Sequence, residues 1–347
     1  MAVALRTRKQ AGFSLVELLV GLVLGAMLIA GVVSIYLASK RSYVEVEQVA
    51  ALTESARFAE QIVGNSLRHA GFFGEVSSSR VELDPALTPV LGDCDAVAQA
   101  SAHDLSQFIF AADALDEDDV LGCIDDAYVP DDGMVNQVLV IKRALPRPFT
   151  DSPRPNDPTL DDGVISFPDE LRNDRTYVMT NSVGGLLFDG ADTQPDISTG
   201  GAFPGGSAWE YQYEVFYIRG SADDESNPPR LSRKFLSWNG AATELATEDL
   251  AEGVENLRLL FGFDSNGDGA ADRYSSLADV SATDWPQVVS VEVYMLVRSA
   301  TEDAQYTDAK TYQVGDAVAT PGDNFRRMVS FTSVSLRNLK LLNQGGS

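Results

Sequence analysis

Residues 18–39 are 22 consecutive positions without a formal charge. At ~1.5 Å of rise per residue, about 20 apolar residues in a helix cross the core of a bilayer. One helix here is long enough to span. The pattern then turns amphipathic without a break, because Val49, Leu52, Ala56, Ala59, Val63 and Leu67 recur at three- and four-residue steps. No proline occurs before Pro85. The spacing predicts one helix from Phe13 to about Arg68, ended by Gly71 and Gly74, with the apolar face of its outer half on a globular domain. Beyond it the period changes from 3.6 to 2, which signals strands. Val138-Leu139-Val140-Ile141 reads as a buried strand. Residues 210–218 alternate and then become apolar, and 231–236, 254–263, 288–297 and 328–337 are further candidates. Residues 146–158 and 184–206, rich in Pro, Gly and Asp, read as loops. The sum is an α+β chain: a long N-terminal helix, then a mainly antiparallel sheet in a domain over 71–347. An irregular acidic insertion over about 75–174 holds both cysteines.

The start of the chain narrows this picture. Residues 1–12 carry Arg6, Arg8 and Lys9 and end in Gly12. Secretory signals place the cleavage site after the apolar segment and lose it, whereas this glycine junction lies before it. Cleavage after Gly12 would leave the helix, 13–70, at the new N-terminus. The positive leader places 1–12 in the cytoplasm and the bulk of the chain outside it. Glu17, one turn into the helix, is a carboxylate within a span, which costs on the order of a few kcal/mol and calls for a partner. An uncleaved signal anchor with one stray Glu is the alternative. The set Gly12-Phe13-Ser14-Leu15-Val16-Glu17-Leu18 resembles the processing site of type IV prepilins and type II secretion pseudopilins. That resemblance implies a prepilin peptidase that cuts after Gly12 and methylates Phe13, and a Glu17 that neutralises the N-terminal amine of a neighbouring subunit. It also implies a pilin-like fold, anchored in the inner membrane before assembly and then carried to the cell surface in a pilus. Many major pilins have a helix-kinking proline where this chain has Ser34, so their kink cannot be assumed here.

Composition removes other functions. The formal charge is −25, or −28 without the leader, and Asp-rich stretches such as 116–119, Asp125-Asp126, Asp131-Asp132 and Asp161-Asp162 carry much of it. Such a field repels nucleic acid and anionic headgroups, and no Lys/Arg cluster offsets it. The acidic runs read as solvated loops. Export to an oxidising compartment makes a disulfide of the two cysteines, Cys94 and Cys123. It would close a loop of about 30 residues and stabilise the fold by roughly 3.5 kcal/mol. The two histidines, His69 at the helix end and His103, leave little for general base catalysis, and G-x-S-x-G, H-E-x-x-H, Walker and C-x-x-C motifs are all missing. With 51 acidic residues, paired carboxylates arise by chance. An enzyme is not expected.

Three later segments resemble the PilW family of minor pilins: Ala251-Glu252-Gly253-Val254-Glu255-Asn256-Leu257, the loop from Asp264 to Tyr274, and Arg326-Arg327 to Leu336-Arg337-Asn338. The helix exit Arg68-His69-Ala70-Gly71-Phe72-Phe73-Gly74 joins them. The resemblance implies a low-abundance subunit that joins other minor pilins and the major pilin on the inner-membrane assembly platform. Such a subunit primes the pilus and sits at or near its tip, with a large tip adhesin. A J-like minor pseudopilin of a type II secretion system and a calcium-dependent tip adhesion module are the alternatives.

The loop also has chemistry of its own. Asp264, Asn266 and Asp268 at steps of two, Gly269, Ala270 and Asp272 follow the order in which an EF-hand loop wraps Ca²⁺. Asp264, Asn266 and Asp268 would supply side-chain oxygens, Ala270 a carbonyl and Asp272 a direct or water-mediated contact, with Asp279 as a further candidate. Ser275 replaces the bidentate Glu, and the flanks read as strands. The same residues also make an ordinary Asn/Asp/Gly turn.

Overall fold

The computed structural model describes residues 12–130, 133–151, 162–166, 170–220 and 228–338. Arg6, Arg8 and Lys9 of the leader, Asp131, Asp132 and Asp161, and the 152–158 part of an expected loop lie outside the described residues. The chain divides between Ala50 and Ala51 into two compact units. The second unit takes in the last turns of the helix together with the chain that follows it.

Helix α1, Leu15–His69, begins in the first unit. Leu18, Leu19, Leu22, Leu24, Leu28, Ile29, Val32, Ile35 and Leu37 are all exposed. Its first turns thus show an apolar surface on every side, which suits lipid or other apolar helices rather than water. The helix passes Ser34 without interruption. The Ser34 hydroxyl donates to the Gly31 carbonyl at 2.8 Å, so this polar group is satisfied within the helix.

In the second unit the apolar stripe of α1 is buried from Leu52 through Ala56, Ala59, Val63 and Leu67. Val49, expected to open the stripe, is 48 % exposed. The helix stops where Gly71 takes φ +72° and its N–H turns to the Lys142 carbonyl at 3.0 Å. A Cβ at Gly71 would meet the Phe108 ring at 2.7 Å, so both the turn and the space require glycine.

Fourteen strands follow among the described residues: β1 Val81–Leu83, β2 Ile109–Ala114, β3 Asn136–Phe149, β4 Thr176–Thr180, β5 Gly185–Asp189, β6 Ser207–Arg219 and β7 Arg230–Trp238. The chain continues through β8 Thr243–Glu252, β9 Val254–Phe263, β10 Arg273–Ser276, β11 Val288–Arg298, β12 Tyr312–Val314, β13 Ala317–Ala319 and β14 Arg327–Ser335. The larger sheet runs β1-β5-β4-β6-β3-β2, and the β7-β8 hairpin also joins β6. Among the described residues β1 and β5 are its one pair of parallel strands. A four-stranded antiparallel sheet runs β10-β9-β11-β14. Leu139, Ile141, Phe216 and Ile218 of the first sheet share one core with Leu257, Leu259, Phe261, Val291, Val293 and Met295 of the second and with the buried stripe of α1.

The acidic insertion contributes strands to the large sheet within the second unit. Its β3 lies in the interior of the large sheet between β2 and β6, because the apolar run 138–141 has two faces to bury. Pro146 and Pro148, assigned to a loop, extend β3 past a register irregularity between Ala144 and Pro148, where a missing N–H is tolerated. Part of the expected loop 184–206 is β5, whose Leu187 and Phe188 are buried.

The cysteine-bearing segment covers the second face of the large sheet, packing Val90, Cys94, Leu105 and Ile124 on Val138, Val140, Tyr211, Tyr213 and Val215. Cys94 and Cys123 are bonded, with Cα atoms 4.7 Å apart. Buried donors of the sheet pin the segment: Tyr211 Oη donates to the Ala102 carbonyl at 2.6 Å and Tyr213 Oη to the Ala100 carbonyl at 2.7 Å. Lys142, fully buried, donates from Nζ to the carbonyls of Gln99 and Asp104. Burial pulls its pKa from the ordinary 10.5 down to about 8, against the opposing pull of Asp104 and Asp93. Between these values the unfolded chain holds more protons at this site, so stability rises with pH across that window. Relative to Lys142→Met, which has nothing to titrate there, the wild type should gain on the order of 2–3 kcal/mol from pH 8 to pH 10.5. Denaturant unfolding of both detergent-solubilised chains over this range measures it, and parallel pH courses would refute it.

Candidate functional site

The prepilin-like residues sit at the first turn of α1. Leu18 N–H donates to the Ser14 carbonyl at 3.1 Å, which makes Ser14 the N-cap. Glu17 N–H donates to Ser14 Oγ at 3.2 Å, and Ser14 N–H returns the bond to Glu17 Oε2 at 3.1 Å. Ser14 Oγ also donates to Glu17 Oε2 at 3.2 Å. This is a capping box, reciprocal and closed within the chain. The S-x-x-E spacing announced it, yet sequence reasoning treated Glu17 only as a carboxylate in want of an intermolecular partner.

The box uses one carboxylate oxygen. Glu17 Oε1 accepts no hydrogen bond among the described residues. The helix N-terminus lends partial positive charge at this turn, which favours an acidic side chain placed there. Phe13, one residue before the cap, is 85 % exposed, and Gly12 has open space where a Cβ would lie. The Gly12–Phe13 peptide bond is therefore accessible. Once cut, its new amine would lie next to the capped turn.

In the 264–272 loop most of the side-chain oxygens accept from the loop's own amides or from the Ser265 hydroxyl. Asp264 Oδ1 accepts from the N–H of Asn266 and Gly267, at 3.2 and 2.6 Å, and its Oδ2 from Gly269 N–H at 2.6 Å. Asn266 Oδ1 accepts from Asp268 N–H and Asp268 Oδ1 from Ala270 N–H, at 2.8 and 2.7 Å. Asp272 Oδ2 accepts from Ser265 N–H and Oγ, and its Oδ1 accepts from Asn266 Nδ2. The Ser265 hydroxyl bond, first among these, holds the Asp272 carboxyl below the usual carboxylate range. Asp279 accepts from Ser276 Oγ at 3.0 Å. Among the described residues no three His, Cys, Asp or Glu side chains converge as a metal-holding group.

His69 bonds through Nδ1 to the Asn65 carbonyl at 2.9 Å in the last turn of α1. His103 lies within the loop closed by the disulfide, half-buried, where burial pushes its pKa down.

The segments that sequence reading singled out near the C-terminus meet in space. Arg327, which opens β14, donates from Nε and Nη2 to the two oxygens of Glu255 on β9, and from Nη1 and Nη2 to Asp323. Asn338 Nδ2 donates to the Ala70 carbonyl at the helix exit, at 3.0 Å. The first contact ties β14 to β9, the two strands that flank β11 in the small sheet, and the second ties the chain's end to α1.

Residues 7–33 match the prokaryotic N-terminal methylation motif, and residues 215–338 match the model of Type IV Pilus-assembly protein W. No curated protein matches the chain significantly. Among solved structures, the type IV-like pilin TTHA1219 from Thermus thermophilus is similar at 14 % identity over 49 % of this chain and 86 % of that one. Its TM-score of 0.23 is too low to bear on the fold.

Proposed function

We propose that this chain is a type IV pilus minor pilin of the PilW family, a reading supported by its two family matches, and that it primes pilus assembly from the inner membrane and stays at or near the tip of the fibre. The observation that carries this reading is the accessible Gly12–Phe13 bond directly before α1, with Glu17 held one turn inside. Prepilin peptidase cuts there and methylates Phe13, the C-terminal unit faces the periplasm, and the apolar turns of α1 move from lipid to the helices of other minor pilins and the major pilin. The assembly platform lifts the subunit, and a large tip adhesin is the partner beyond it. The match of 215–338 to a pilus-assembly protein favours a pilus over a secretion pseudopilus. The family is one of structural subunits, and no catalytic step enters the reading.

Sheared surface fibres test it. Immunoblotting should find a few copies per fibre, beginning at N-methylated Phe13, and a strain lacking the chain should make fewer fibres. Met1 retained in a strain with active prepilin peptidase would end the reading.

Calcium at Asp264, Asn266, Asp268, Ala270 and Asp272 is a subordinate proposal, supported by the alternation of oxygen-bearing side chains around one tight turn. Without a bidentate Glu the affinity falls in the range from about 10⁻⁵ to 10⁻³ M. Ca²⁺ at ~100 times the dissociation constant would add about 2.7 kcal/mol to folding stability. The chain should then melt higher in Ca²⁺ than in chelator, and Asp268→Ala should remove the difference. Equal melting temperatures would leave the self-bonded turn as the whole account of the loop.

A further inference from the structure

The free edges of the two sheets are built differently. On β8 the edge carries Glu248, Asp249 and Glu252, all exposed, in the way natural sheets discourage a foreign strand. On β14 the run Met328-Val329-Ser330-Phe331-Thr332-Ser333-Val334-Ser335 holds no charge in a chain of net charge −25, and Phe331 is 49 % exposed.

The register shows which backbone groups are free. β14 pairs with β11 without irregularity from Ser290↔Ser335 to Arg298↔Arg327. Beyond the two ends of this ladder, Ser299 N–H donates to the Arg326 carbonyl and Leu336 N–H to the Val289 carbonyl. In an antiparallel ladder the bonded positions alternate, so the even-numbered residues of β14 bond to β11. The N–H and C=O of Val329, Phe331, Ser333 and Ser335 point the other way, and among the described residues none of them has a partner. They form a row of four donors and four acceptors.

The inner side of the same strand lies on the assembly helix: Ser330 Oγ donates to Glu60 of α1, and Val334 lies 3.7 Å from where a Cβ on Gly64 would sit. We propose that the β14 edge accepts an extended, uncharged strand from a different pilin subunit, which adds to the four-stranded sheet as a fifth strand. The inference rests on the minor-pilin reading above, because continuity with α1 is what makes the neighbour a pilin. Main-chain bonds to the four free residues would give the affinity, and an apolar side chain against Phe331 the register. A neutral strand fits because a charged one would lose water beside Phe331 without an ion partner.

The test uses the full chain in cells that make the pilus. Ser333→Pro removes a donor that points away from β11, and Phe331→Lys adds a charge at an exposed position, so both should melt within a few degrees of wild type. Each should lower the amount of this chain in sheared fibres about tenfold, while Thr247→Lys on the β8 edge should not. A photo-crosslinker at Ser335 should give an adduct whose mass-spectrometric sequence is a pilin with its own N-terminal methylation motif. Wild-type levels of both folded variants in fibres would overturn the proposal, as would an adduct only with a second copy of this chain. Absence of the wild-type chain from fibres would instead overturn the minor-pilin reading itself.

Discussion

Glu17→Gln and Glu17→Ala should both leave the chain in the inner membrane and both remove it from sheared fibres, while Ser14→Ala should not. The three variants separate the two tasks of one carboxylate. Gln at this position can still accept from the Ser14 N–H, so the capping box survives and only the charge is lost. Ser14→Ala keeps the charge and removes the cap, at a cost of about 1 kcal/mol, which a 55-residue helix absorbs. Membrane insertion is not impaired by either Glu17 variant, because a charge is withdrawn from a span that lost a few kcal/mol by holding it. Assembly is another matter. Glu17 Oε1 is the oxygen left over by the capping box, and an ammonium from a neighbouring subunit would complete it. Removing one partner of a desolvated ion pair costs about 3–5 kcal/mol, equivalent to at least a hundredfold in incorporation. Immunoblots of membrane and sheared fractions measure both tasks. Wild-type amounts of Glu17→Gln in fibres, with Glu17→Ala missing, would show that the cap and not the charge is what assembly needs.

Much of this molecule is legible in its sequence where one physical requirement acts alone. The uncharged run 18–39 and the stripe Leu52, Ala56, Ala59, Val63 and Leu67 give the helix to within two residues at each end, since apolar side chains at three- and four-residue steps come to one face only when the backbone is helical. The apolar or alternating runs 138–141, 210–218, 231–236, 254–263, 288–297 and 328–337 all contain strands, because period-two or continuous burial suits a pleated backbone. Short or polar strands escaped. β8, with Glu244, Glu248, Asp249 and Glu252, has the composition of an exposed helix and is held as a strand by its pairing with β7 and a bridge to Leu91. β5 is short and lies inside a Gly- and Asp-rich stretch, and its pairing with β4 is a tertiary fact. At the processing site the residues were legible but the capping box went unread. The meeting of Glu255 with Arg327, 72 positions apart, follows from the β9-β11-β14 order and from no local pattern.

That meeting supports the second large expected effect, because Arg327→Met should destabilise the fold by about 3–5 kcal/mol, the range for a buried pair stripped of one member. Arg327 faces three carboxylates: Glu255, Asp323 and, at 3.5 Å, the fully buried Asp308. Tyr312 Oη donates to both oxygens of Asp308 and Tyr306 Oη to one, so this acid keeps neutral donors when the guanidinium is gone. Glu255 keeps less. Burial already holds its pKa above the usual carboxylate range, with the Arg327 hydrogen bonds pulling back. In Arg327→Met that pull disappears, and the folded protein should take up a proton at Glu255 that the unfolded chain releases at lower pH. A folded pKa raised above the unfolded value lowers stability as pH increases through the interval between them. The variant should therefore be closer to wild type at pH 5 than at pH 7, and Glu255→Gln in the same chain should recover part of the loss at pH 7 while changing little at pH 5. Denaturant unfolding of the detergent-solubilised chains at the two pH values decides it. A loss that is flat with pH, or one that Glu255→Gln deepens, would mean that Arg327 acts through its packing on Phe325 rather than through the carboxylates it bridges.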